Sequence, residues 1–440
     1  MPTDNLPTII PRADHNISRT GISEGALKVL YRLNKAGFRA CLVGGGVRDL
    51  LLGREPKDFD VATDASPDEV RDLFRNSRLI GRRFRLAHVR FGPEIIEVAT
   101  FRGPAGEENQ DEGEGRILRD NTWGTIEEDA VRRDFTVNAL FYDINDFSVL
   151  DFVGGMADLK AGDLRLIGDP ERRYREDPVR MLRAARFAAK LGFRIHPDTE
   201  APIAQLKGLL DDIPPARLFE EVLKLFQSGH AVQSYEHLRR LGLFGILFPA
   251  TEDSLAELEH DFPRLMLLRA LENTDVRVDE GKPITPAFLF AALLWEPVRL
   301  RAQAKEAKGA PQLVALQDAT DEVLHEQLKR VSIPKRFSQP MREIFMLQAR
   351  LTMRRGKRPL RMLAHPRFRA AYDFLLLRAA VGEVEQELAD WWTQLQETDG
   401  PGQEALIQGA PADPGPSKSK RRRRRRKRTG GADADSGAPV

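Results

Sequence analysis

The sequence predicts an α+β fold in which a small mixed α/β unit precedes an all-helical region and a disordered basic tail. Three observations lead to this prediction. Short apolar runs separated by glycines alternate with helical periods up to about residue 160, and helical periods then follow almost without interruption. Finally, the segment from Lys418 to Arg428 holds ten basic residues in eleven between prolines and glycines. Its charges repel one another and it lacks apolar residues, so it predicts disorder.

The α/β unit is expected to open with a helix over residues 26–35, which Ser23 could cap and Gly37 could end. Strands are predicted over residues 38–43, 59–63, 87–91, 94–101 and 148–153. A glycine turn at 44–46 leads into a short helix at 47–52, and another helix lies between Pro67 and Arg75. Residues 107–116 are acidic and glycine-rich, which predicts a flexible loop.

Helical periods mark the rest of the chain, as at 178–191, 216–227 and 374–395, and the glycines at 400 and 402 predict the end of the ordered chain. We therefore divide the chain into an N-terminal extension (1–22), the α/β unit (23–160), a first helical segment (161–228), a larger one (229–398) and the tail (399–440).

Composition excludes several classes of protein. Hydrophobic residues make up 41% and charged residues 30%, as in soluble globular proteins. The longest apolar run, Ala287 to Trp295, is far shorter than the roughly 20 residues of a membrane helix, so no membrane span is predicted. The single cysteine, Cys41, excludes an internal disulfide and a cysteine zinc site, and the polar N-terminus lacks a secretory pattern. These features favour a cytoplasmic protein.

An acidic pair stands at the centre of the functional prediction. The run Leu42 to Asp49 is followed by Asp58, Phe59 and Asp60. Side chains alternate along a strand, so Asp58 and Asp60 should project together and Phe59 to the opposite face. Two such close carboxylates repel each other unless a cation offsets them, and Mg²⁺ does so while keeping positions open for phosphates. Two ions would activate a hydroxyl nucleophile and stabilise a pyrophosphate leaving group.

The glycine turn complements this pair. Gly44, Gly45 and Gly46 lack a Cβ, so their backbone N–H groups can approach a triphosphate, and Arg48 would add a charged contact. A purely structural turn is the alternative, since glycine turns and Asp-x-Asp pairs are each common. The combination of strand, glycine turn, helix and acidic strand favours the functional interpretation.

A second cluster, Arg132 to Ala139, places two arginines beside a third carboxylate. Arginine suits phosphate because its planar fork is permanently charged. Asp134 would complete the metal site or the site for a primer hydroxyl. The alternative is a surface salt bridge from Asp134 to either Arg132 or Arg133.

A third cluster begins at Arg175. Asp177 and Pro178 predict a helix start, and Arg180, Arg183, Arg186 and Lys190 then recur on one face. An arginine that donates to an adenine ring nitrogen, beside a carboxylate that accepts from the amine, would read a base. The alternative is an amphipathic helix with solvated arginines and a Glu176–Arg180 pair.

Basic residues beyond these clusters suggest contacts with a nucleic acid. The stretch from Arg350 to Arg369 combines arginines with aromatic residues, which suits either a single strand or solvated helix faces. The tail suits a phosphate-binding arm, with a solubility tail as the alternative. Its candidate RNA-binding residues are Arg421, Arg422, Arg423, Arg424, Arg425 and Arg426.

The three clusters, in this order, resemble the class II nucleotidyltransferase superfamily, which contains the bacterial poly(A) polymerases and the CCA-adding enzymes. The likeness to the bacterial poly(A) polymerase I family in particular rests on Ile9 to Arg12, Pro56 to Asp60, Gly81 to Val89, Arg173 to Arg180 and the arginine-rich tail.

The resemblance implies a head, neck, body and leg, and template-independent addition of AMP from ATP to RNA 3′ ends with release of pyrophosphate. It implies Mg²⁺, two ions in all, held by Asp58 and Asp60, with catalysis by Asp58, Asp60 and Asp134. Around the nucleotide it implies Gly44, Gly45, Arg48, Arg133, Asn138, Glu176, Asp177, Arg180 and Arg183. RNA-decay proteins are candidate partners. A CCA-adding enzyme and a non-catalytic RNA-binding protein are the alternative functions.

Overall fold

Two units make up the computed structural model, which describes residues 6–81, 85–103, 122–256 and 262–411. The first unit contains the described residues of Met1–Pro297 and Val323–Met341, and the second those of Val298–Glu322 and Arg342–Val440. The larger helical segment predicted at 229–398 is thus divided between the two units. The predicted acidic loop at 107–116 and the basic run at 418–428 lie outside the described residues.

A mixed sheet of eight strands forms the framework of the first unit. The strands are β1 (Thr8–Ile10), β2 (Ala40–Val43), β3 (Asp60–Thr63), β4 (Ser77–Ile80), β5 (Leu86–Phe91), β6 (Glu94–Thr100), β7 (Leu140–Asp143) and β8 (Val149–Asp151). Their order is β1-β8-β7-β2-β3-β6-β5-β4. Within this sheet, β3 and β6 pair in parallel and all other neighbours are antiparallel. Two further strands, β9 (Asp163–Leu164) and β10 (Arg194–Ile195), pair in parallel.

The sequence pattern finds the central strands and misses others. Strand β2 is buried throughout, and Cys41 packs inside as predicted, where burial raises the pKa of its thiol to about 12. The strands β1 and β4 were not predicted. Both lie at edges of the sheet and are only partly covered, so their side chains show no clear apolar alternation. Strand β7 was also missed, and it is buried on both faces apart from its last residue.

Helices cover the sheet and continue beyond it. They are α1 (Glu24–Lys35), α2 (Gly45–Leu51), α3 (Pro67–Leu73), α4 (Ile126–Arg132), α5 (Gly155–Ala161), α6 (Pro170–Glu176), α7 (Val179–Leu191), α8 (Pro197–Glu200), α9 (Ile203–Leu206), α10 (Pro215–Phe226), α11 (Ala231–Arg240), α12 (Phe244–Leu247), α13 (Pro249–Ala256), α14 (Phe262–Asp279) and α15 (Pro286–Ala307). Ser23 caps α1 as predicted, because its Oγ accepts from the Ala26 N–H at 3.1 Å. Short 3-10 turns lie at Arg12–Asp14, Arg19–Gly21, Thr136–Asn138 and Lys207–Asp212.

The remaining helices correct two predictions. They are α16 (Gln312–Gln327), α17 (Lys335–Leu351), α18 (Arg358–Leu363), α19 (Phe368–Ala380), α20 (Gln386–Glu397) and α21 (Gly400–Gly409). The single helix predicted over 374–395 is in fact the two helices α19 and α20. The ordered chain does not end at Gly400, because Asp399 caps α21 and a proline occupies its first turn.

A core of aromatic and aliphatic side chains holds the last helices together. Trp392 is completely buried, and its indole N–H donates to the Leu351 carbonyl at 2.8 Å. Phe368 and Trp391 pack against Trp392, with ring centroids 5.5 Å and 5.0 Å away. Among the helices of the described ranges, none is long and apolar enough to cross a membrane.

Candidate active site

The glycine turn and the acidic strand meet at one point of the sheet. Strands β2 and β3 are antiparallel, with Val43 opposite Asp60, and Gly44 follows directly. Gly44 has φ +72° and ψ −138°, a conformation that favours glycine. A Cβ there would lie 3.6 Å from both Asp60 Oδ2 and Arg133 Nη1. Gly44, which is buried, therefore lies between a carboxylate and a guanidinium.

The acidic pair sits at the start of β3 rather than inside it. Phe59 is 8% exposed and points into the core, while Asp58 is exposed and Asp60 half-buried. The predicted alternation thus holds for Phe59, although the strand begins only at Asp60. Burial raises the pKa of Asp60 to about 6, the charges of Glu97 and Asp58 add to this, and Arg133 opposes it. Both carboxylates therefore lie within electrostatic reach of each other.

Glu97 is a site residue that the sequence analysis missed. It lies in β6 directly beside Asp60, because β3 and β6 pair in parallel with Asp60 opposite Glu97. Its Oε1 is 3.2 Å from His88 Nε2, a neighbour on β5. The sequence does show a carboxylate within a run of apolar strand residues. It does not show that β3 and β6 lie side by side, because the paired residues Asp60 and Glu97 are 37 positions apart in the chain.

The donor set fits a hard divalent cation. Asp58 and Glu97 both act on Asp60, whose pKa is raised first by its burial and then by the charges of these two carboxylates. In the described ranges no group of three or more His, Cys, Asp or Glu side chains forms a preassembled metal site. Mg²⁺ prefers oxygen ligands and commonly uses one or two protein carboxylates, with water and substrate phosphates in its remaining positions. Asp58 and Asp60 would supply such a pair.

Arg48 does not face an open phosphate site as the sequence suggested. Its side chain is 1% exposed and lies against the turn, 3.4 Å from a Cβ placed on Gly45. Nε and Nη2 donate to Asp49 Oδ1 at 2.8 and 2.7 Å, and Nη1 donates to Asn138 Oδ1 at 2.6 Å. All three guanidinium nitrogens are thus engaged, so Arg48 is placed to position the turn.

Asp134 is paired, but with a partner that the sequence analysis did not consider. Its Oδ2 accepts from Arg183 Nε at 2.8 Å, and its Oδ1 accepts from the Phe135 N–H and from Asn138 Nδ2 at 2.8 and 3.2 Å. Burial alone would raise the pKa of Asp134, but Arg183 and these hydrogen bonds hold it well below its usual range. Neither Arg132 nor Arg133 is the partner, since Arg133 Nη2 pairs with Asp129 at 2.9 Å and Arg132 Nη1 donates to the Gly103 carbonyl.

These contacts join into a network that begins and ends on α7. Lys190 Nζ lies 3.6 Å from Asp49 Oδ2, and Asp49 leads through Arg48, Asn138 and Asp134 to Arg183. Lys190 and Arg183 are seven residues apart and thus on one side of the helix. Between them the Phe187 ring lies 5.5 Å from the Arg48 guanidinium carbon. The network ties the glycine turn to the helix that carries the predicted base-reading arginines.

The predicted base-reading residues also form a fixed cluster. Glu176 ends α6, a helix that was not predicted, and its carboxylate accepts from Arg172, Arg173 and Arg180 at 3.2, 2.9 and 3.2 Å. The Glu176–Arg180 pair offered as the alternative is therefore present. Asp177 Oδ1 accepts from the Val179 N–H at 3.3 Å, and its Oδ2 accepts from Arg217 Nη2 of α10 at 2.7 Å. Helix α10 thus helps to orient this cluster.

Two buried groups near this cluster keep unused hydrogen-bonding capacity. Arg186 Nε on α7 and Glu221 Oε2 on α10 are buried and have no hydrogen-bond partner among the described residues. Burial lowers the pKa of Arg186, as does the charge of Arg183, whereas the charge of Glu221 opposes this. Glu221 was not singled out in the sequence, because its placement depends on the packing of α10.

Comparison with known proteins supports this reading of the fold. Three family models match the chain: "Poly A polymerase head domain" over residues 40–165, "Probable RNA and SrmB- binding site of polymerase A" over 192–255 and "Polymerase A arginine-rich C-terminus" over 308–428. Among solved structures, a tRNA-processing enzyme in its apo form matches with a TM-score of 0.61 and 23% identity, over 89% of this chain and 96% of the other. A tRNA nucleotidyltransferase bound to a primer tRNA and an ATP analogue matches with a TM-score of 0.58 and 22% identity, over 84% and 98%.

Curated relatives are similar over most of the chain. Poly(A) polymerase I of Salmonella typhi is 54% identical over 418 residues, which is 93% of this chain and 90% of that protein. Poly(A) polymerase I of Haemophilus influenzae is 49% identical over 408 residues, 91% and 90% of the two chains. The CCA-adding enzyme of Lactobacillus helveticus is 39% identical over 211 residues, only 48% of this chain and 52% of that enzyme.

The fold and the site together define a nucleotidyltransferase whose head carries a glycine turn beside an acidic pair. Relatives that match over nine-tenths of the chain share a single name. The chain belongs to the poly(A) polymerase I family.

Proposed function

We propose that this chain adds AMP from ATP to RNA 3′ ends without a template and releases pyrophosphate. The observation that carries the proposal is the meeting of the Gly44 turn, Asp60 and Arg133 at the paired ends of β2 and β3. The 54% sequence identity to poly(A) polymerase I of Salmonella typhi, over 93% of this chain, supports ATP and RNA as the substrates. In this reaction the primer 3′-hydroxyl attacks the α-phosphate, and catalysis comes mainly from positioning and electrostatic stabilisation.

In the proposed mechanism, Asp58 and Asp60 hold Mg²⁺, and Glu97 supplies further negative charge beside Asp60. A bound cation would supply the positive charge that activates the hydroxyl and stabilises the leaving pyrophosphate. The backbone N–H groups of the glycine turn bind the triphosphate, which needs the absence of Cβ atoms there. Arg133, held against Asp129 with Nη1 beside the turn, contacts the phosphates.

A second group of residues does not contact the substrate but positions the side chains that do. Arg48, Asn138 and Asp134 have their polar atoms engaged with one another, with Asp49 or with Arg183. We therefore assign Asp134 to orienting Arg183 rather than to holding the metal. Asp177, Arg180 and Arg183 form the base-reading side, and Glu176 fixes Arg180. The unpaired Arg186 Nε and Glu221 Oε2 offer a donor and an acceptor that a polar base edge can use.

The choice between a poly(A) polymerase and a CCA-adding enzyme predicts different products. Purified protein, given an unstructured RNA with ATP alone, is expected to produce long A tracts. A tRNA that lacks its terminal CCA, given ATP and CTP, is expected to receive A tracts rather than exactly three nucleotides. Arrest after CCA would identify a tRNA repair enzyme. The CCA-adding enzyme of Lactobacillus helveticus is similar to only about half of this chain. RNA binding without pyrophosphate release would identify a non-catalytic protein.

The arginine-rich tail is expected to strengthen RNA binding without taking part in the chemistry. Deletion of Lys418 to Arg428 removes ten cations. Each cation that contacts a single-stranded phosphate contributes about 0.7 to the slope of log affinity against log salt. The deletion should therefore weaken RNA binding and flatten this slope, with kcat at saturating RNA unchanged. A slope equal to that of the full chain would leave the tail with a role in solubility only.

Partners and location follow from the same proposal. Residues 192–255 match a family description that names RNA and SrmB binding, which supports RNA and a protein as partners. RNA-decay proteins are the candidates that we propose for the protein partner. A cytoplasmic location fits these substrates.

A further inference from the structure

One face of the sheet in the first unit continues outward from the acidic pair. Asp60 on β3 lies opposite Glu97 on β6, and Glu97 lies opposite His88 on β5. His88 in turn lies opposite Arg78 on β4, the strand at the edge of the sheet. Residues opposite one another on paired strands project from the same face. These four side chains therefore form one row that leads from the candidate active site to the edge of the sheet.

A second row of side chains runs beside the first. Arg90 on β5 lies opposite Ile95 on β6. Arg90 is two positions from His88, and Ile95 is two positions from Glu97, so both rows share a face. We call Arg78, His88, Arg90, Ile95 and Glu97 the β4–β6 face.

The β4–β6 face is accessible to solvent, whereas the opposite face of these strands is covered. Arg78, Arg90 and Glu97 are exposed, and Ile95 is 38% exposed. On the opposite face, helices α1 and α3 pack against β5 and β6. The buried residues there are Ala87, Val89, Ile96 and Val98. A ligand bound at the acidic pair can therefore extend over the β4–β6 face.

Two cations of the β4–β6 face have no acidic partner. Among the residues that the structure describes, none forms an ion pair or a hydrogen bond with the side chain of Arg78 or Arg90. Glu97, the carboxylate of this face, lies instead against His88, with Oε1 3.2 Å from Nε2. Neighbouring strands lie about 4.8 Å apart, so β5 is roughly 10 Å and β4 roughly 14 Å from β3. The two guanidinium groups are thus available to an anion that approaches Asp60.

We propose that the β4–β6 face binds the 3′-terminal nucleotides of the RNA primer, with Arg78 and Arg90 on their phosphates. The inference rests on the proposed function, because that function brings an RNA 3′-hydroxyl to the acidic pair. The phosphates next to this hydroxyl are repelled by the carboxylates, and nearby cations offset the repulsion. Arginine binds phosphate through charge-assisted hydrogen bonds, and such contacts carry no sequence information. They therefore suit a strand that is extended without a template.

Ile95 adds an apolar contact to this surface. Strand β6 runs parallel to β3 with Glu97 opposite Asp60, so Ile95 lies towards the same end of the sheet as Asp58. It is exposed directly beside Arg90. An apolar side chain next to a cation suits a base and its phosphate, which favours a nucleotide strand over a free phosphate.

The first test uses the full-length chain with Arg78→Gln and Arg90→Gln combined, and a labelled single-stranded oligoadenylate without ATP. Two lost phosphate contacts should lower the slope of log affinity against log salt by about 1.4 and weaken binding about tenfold near physiological salt. In extension assays the KM for RNA should rise by a similar factor, while the KM for ATP stays at the wild-type value.

The matched control is Arg32→Gln with Lys35→Gln. It removes the same charge from two exposed residues of α1, the helix on the opposite face of the sheet. The control and the wild type should bind RNA alike, and all three proteins should show the same thermal unfolding.

A second test locates the bound RNA. The oligoadenylate carries one photoreactive nucleotide, either next to its 3′-terminal nucleotide or far upstream. The terminal probe is expected to cross-link to peptides that contain residues 77–80 or 86–97, and the upstream probe is not. The double arginine variant should lose most of the terminal cross-link, whereas the control variant should keep it.

Equal RNA affinity and equal salt slope in the double arginine variant and the control would overturn the proposal and leave the two arginines as charges that protect the sheet edge. A terminal probe that cross-links only to other parts of the chain would overturn it as well. The binding and cross-linking measurements need no turnover, so their failure is distinct from a failure of the proposed reaction. A wild-type protein that binds RNA but releases no pyrophosphate with ATP would overturn the proposed function instead.

Discussion

Replacing Asp58 or Asp60 by alanine is expected to lower kcat for RNA extension by about 10³-fold or more, because each variant removes an oxygen ligand from the proposed metal site. Folding should not suffer. Asp58 is exposed, and the raised pKa of Asp60 means that its charge is disfavoured, first by burial and then by Glu97 and Asp58. The unfolding temperature of the Asp60 variant should therefore be unchanged or higher. Pyrophosphate release and thermal unfolding measure the two effects.

A control variant shows whether the loss of activity is specific to the acidic pair or follows from removing any carboxylate of the α/β unit. Asp72 on α3 has an 80% exposed side chain, so Asp72→Ala should retain wild-type activity. If the Asp58 or Asp60 variant kept activity within tenfold of wild type, neither carboxylate would have the proposed role. The thermal unfolding measurement would identify a variant that is inactive only because it is unfolded.

The second large effect concerns the Asp134–Arg183 pair. We expect Asp134→Asn to lower the free energy of unfolding by about 2–4 kcal/mol, because it leaves the largely covered Arg183 without its counter-charge. The pKa of Asp134 is lowered in the folded protein, so the stabilisation is present above its ordinary value of 3.8 and is lost as the pH falls below it. The difference in the free energy of unfolding between wild type and variant should therefore become smaller below about pH 4. Urea unfolding at several pH values measures it.

A double-mutant cycle with Arg183→Met identifies the pair as the cause. The double variant should lose clearly less stability than the sum of the single variants, because the second change removes a charge that has already lost its partner. Glu171→Gln, which breaks the exposed pair with Arg175, should cost well under about 1 kcal/mol. Unchanged stability of Asp134→Asn together with complete loss of activity would instead assign Asp134 to the metal or the primer hydroxyl.

Local chemistry made parts of the fold and site predictable. The Ser23 cap, the buried strand of Cys41, the turn at Gly44 and the inward Phe59 follow from residues adjacent in the chain. The turn is shorter than predicted, because α2 begins at Gly45 rather than at Val47. Each depends on periodicity or on backbone conformation. The glycine-rich start of α21 was misjudged because Asp399 and a proline suit a helix start as well as a chain end.

What could not be predicted depends on which distant groups meet. Glu97 joins Asp60 through strand pairing, Asp134 meets Arg183 across 49 residues, and Arg48 meets Asn138 across 90. A guanidinium binds a carboxylate as readily as a phosphate, so the sequence alone could not decide between the two for Arg48. The edge strands β1 and β4 are short and partly exposed, and their pairing is set by the sheet rather than by their own pattern.

The central claim is that Asp58 and Asp60 jointly hold a divalent cation beside the glycine turn that receives the triphosphate. A crystal structure with Mn²⁺ and a non-hydrolysable ATP analogue tests it most directly. The account predicts a cation about 2.1–2.2 Å from oxygens of both carboxylates, with the phosphates against the backbone of Gly44, Gly45 and Gly46. A cation bound away from the pair, or a triphosphate bound away from the turn, would contradict it.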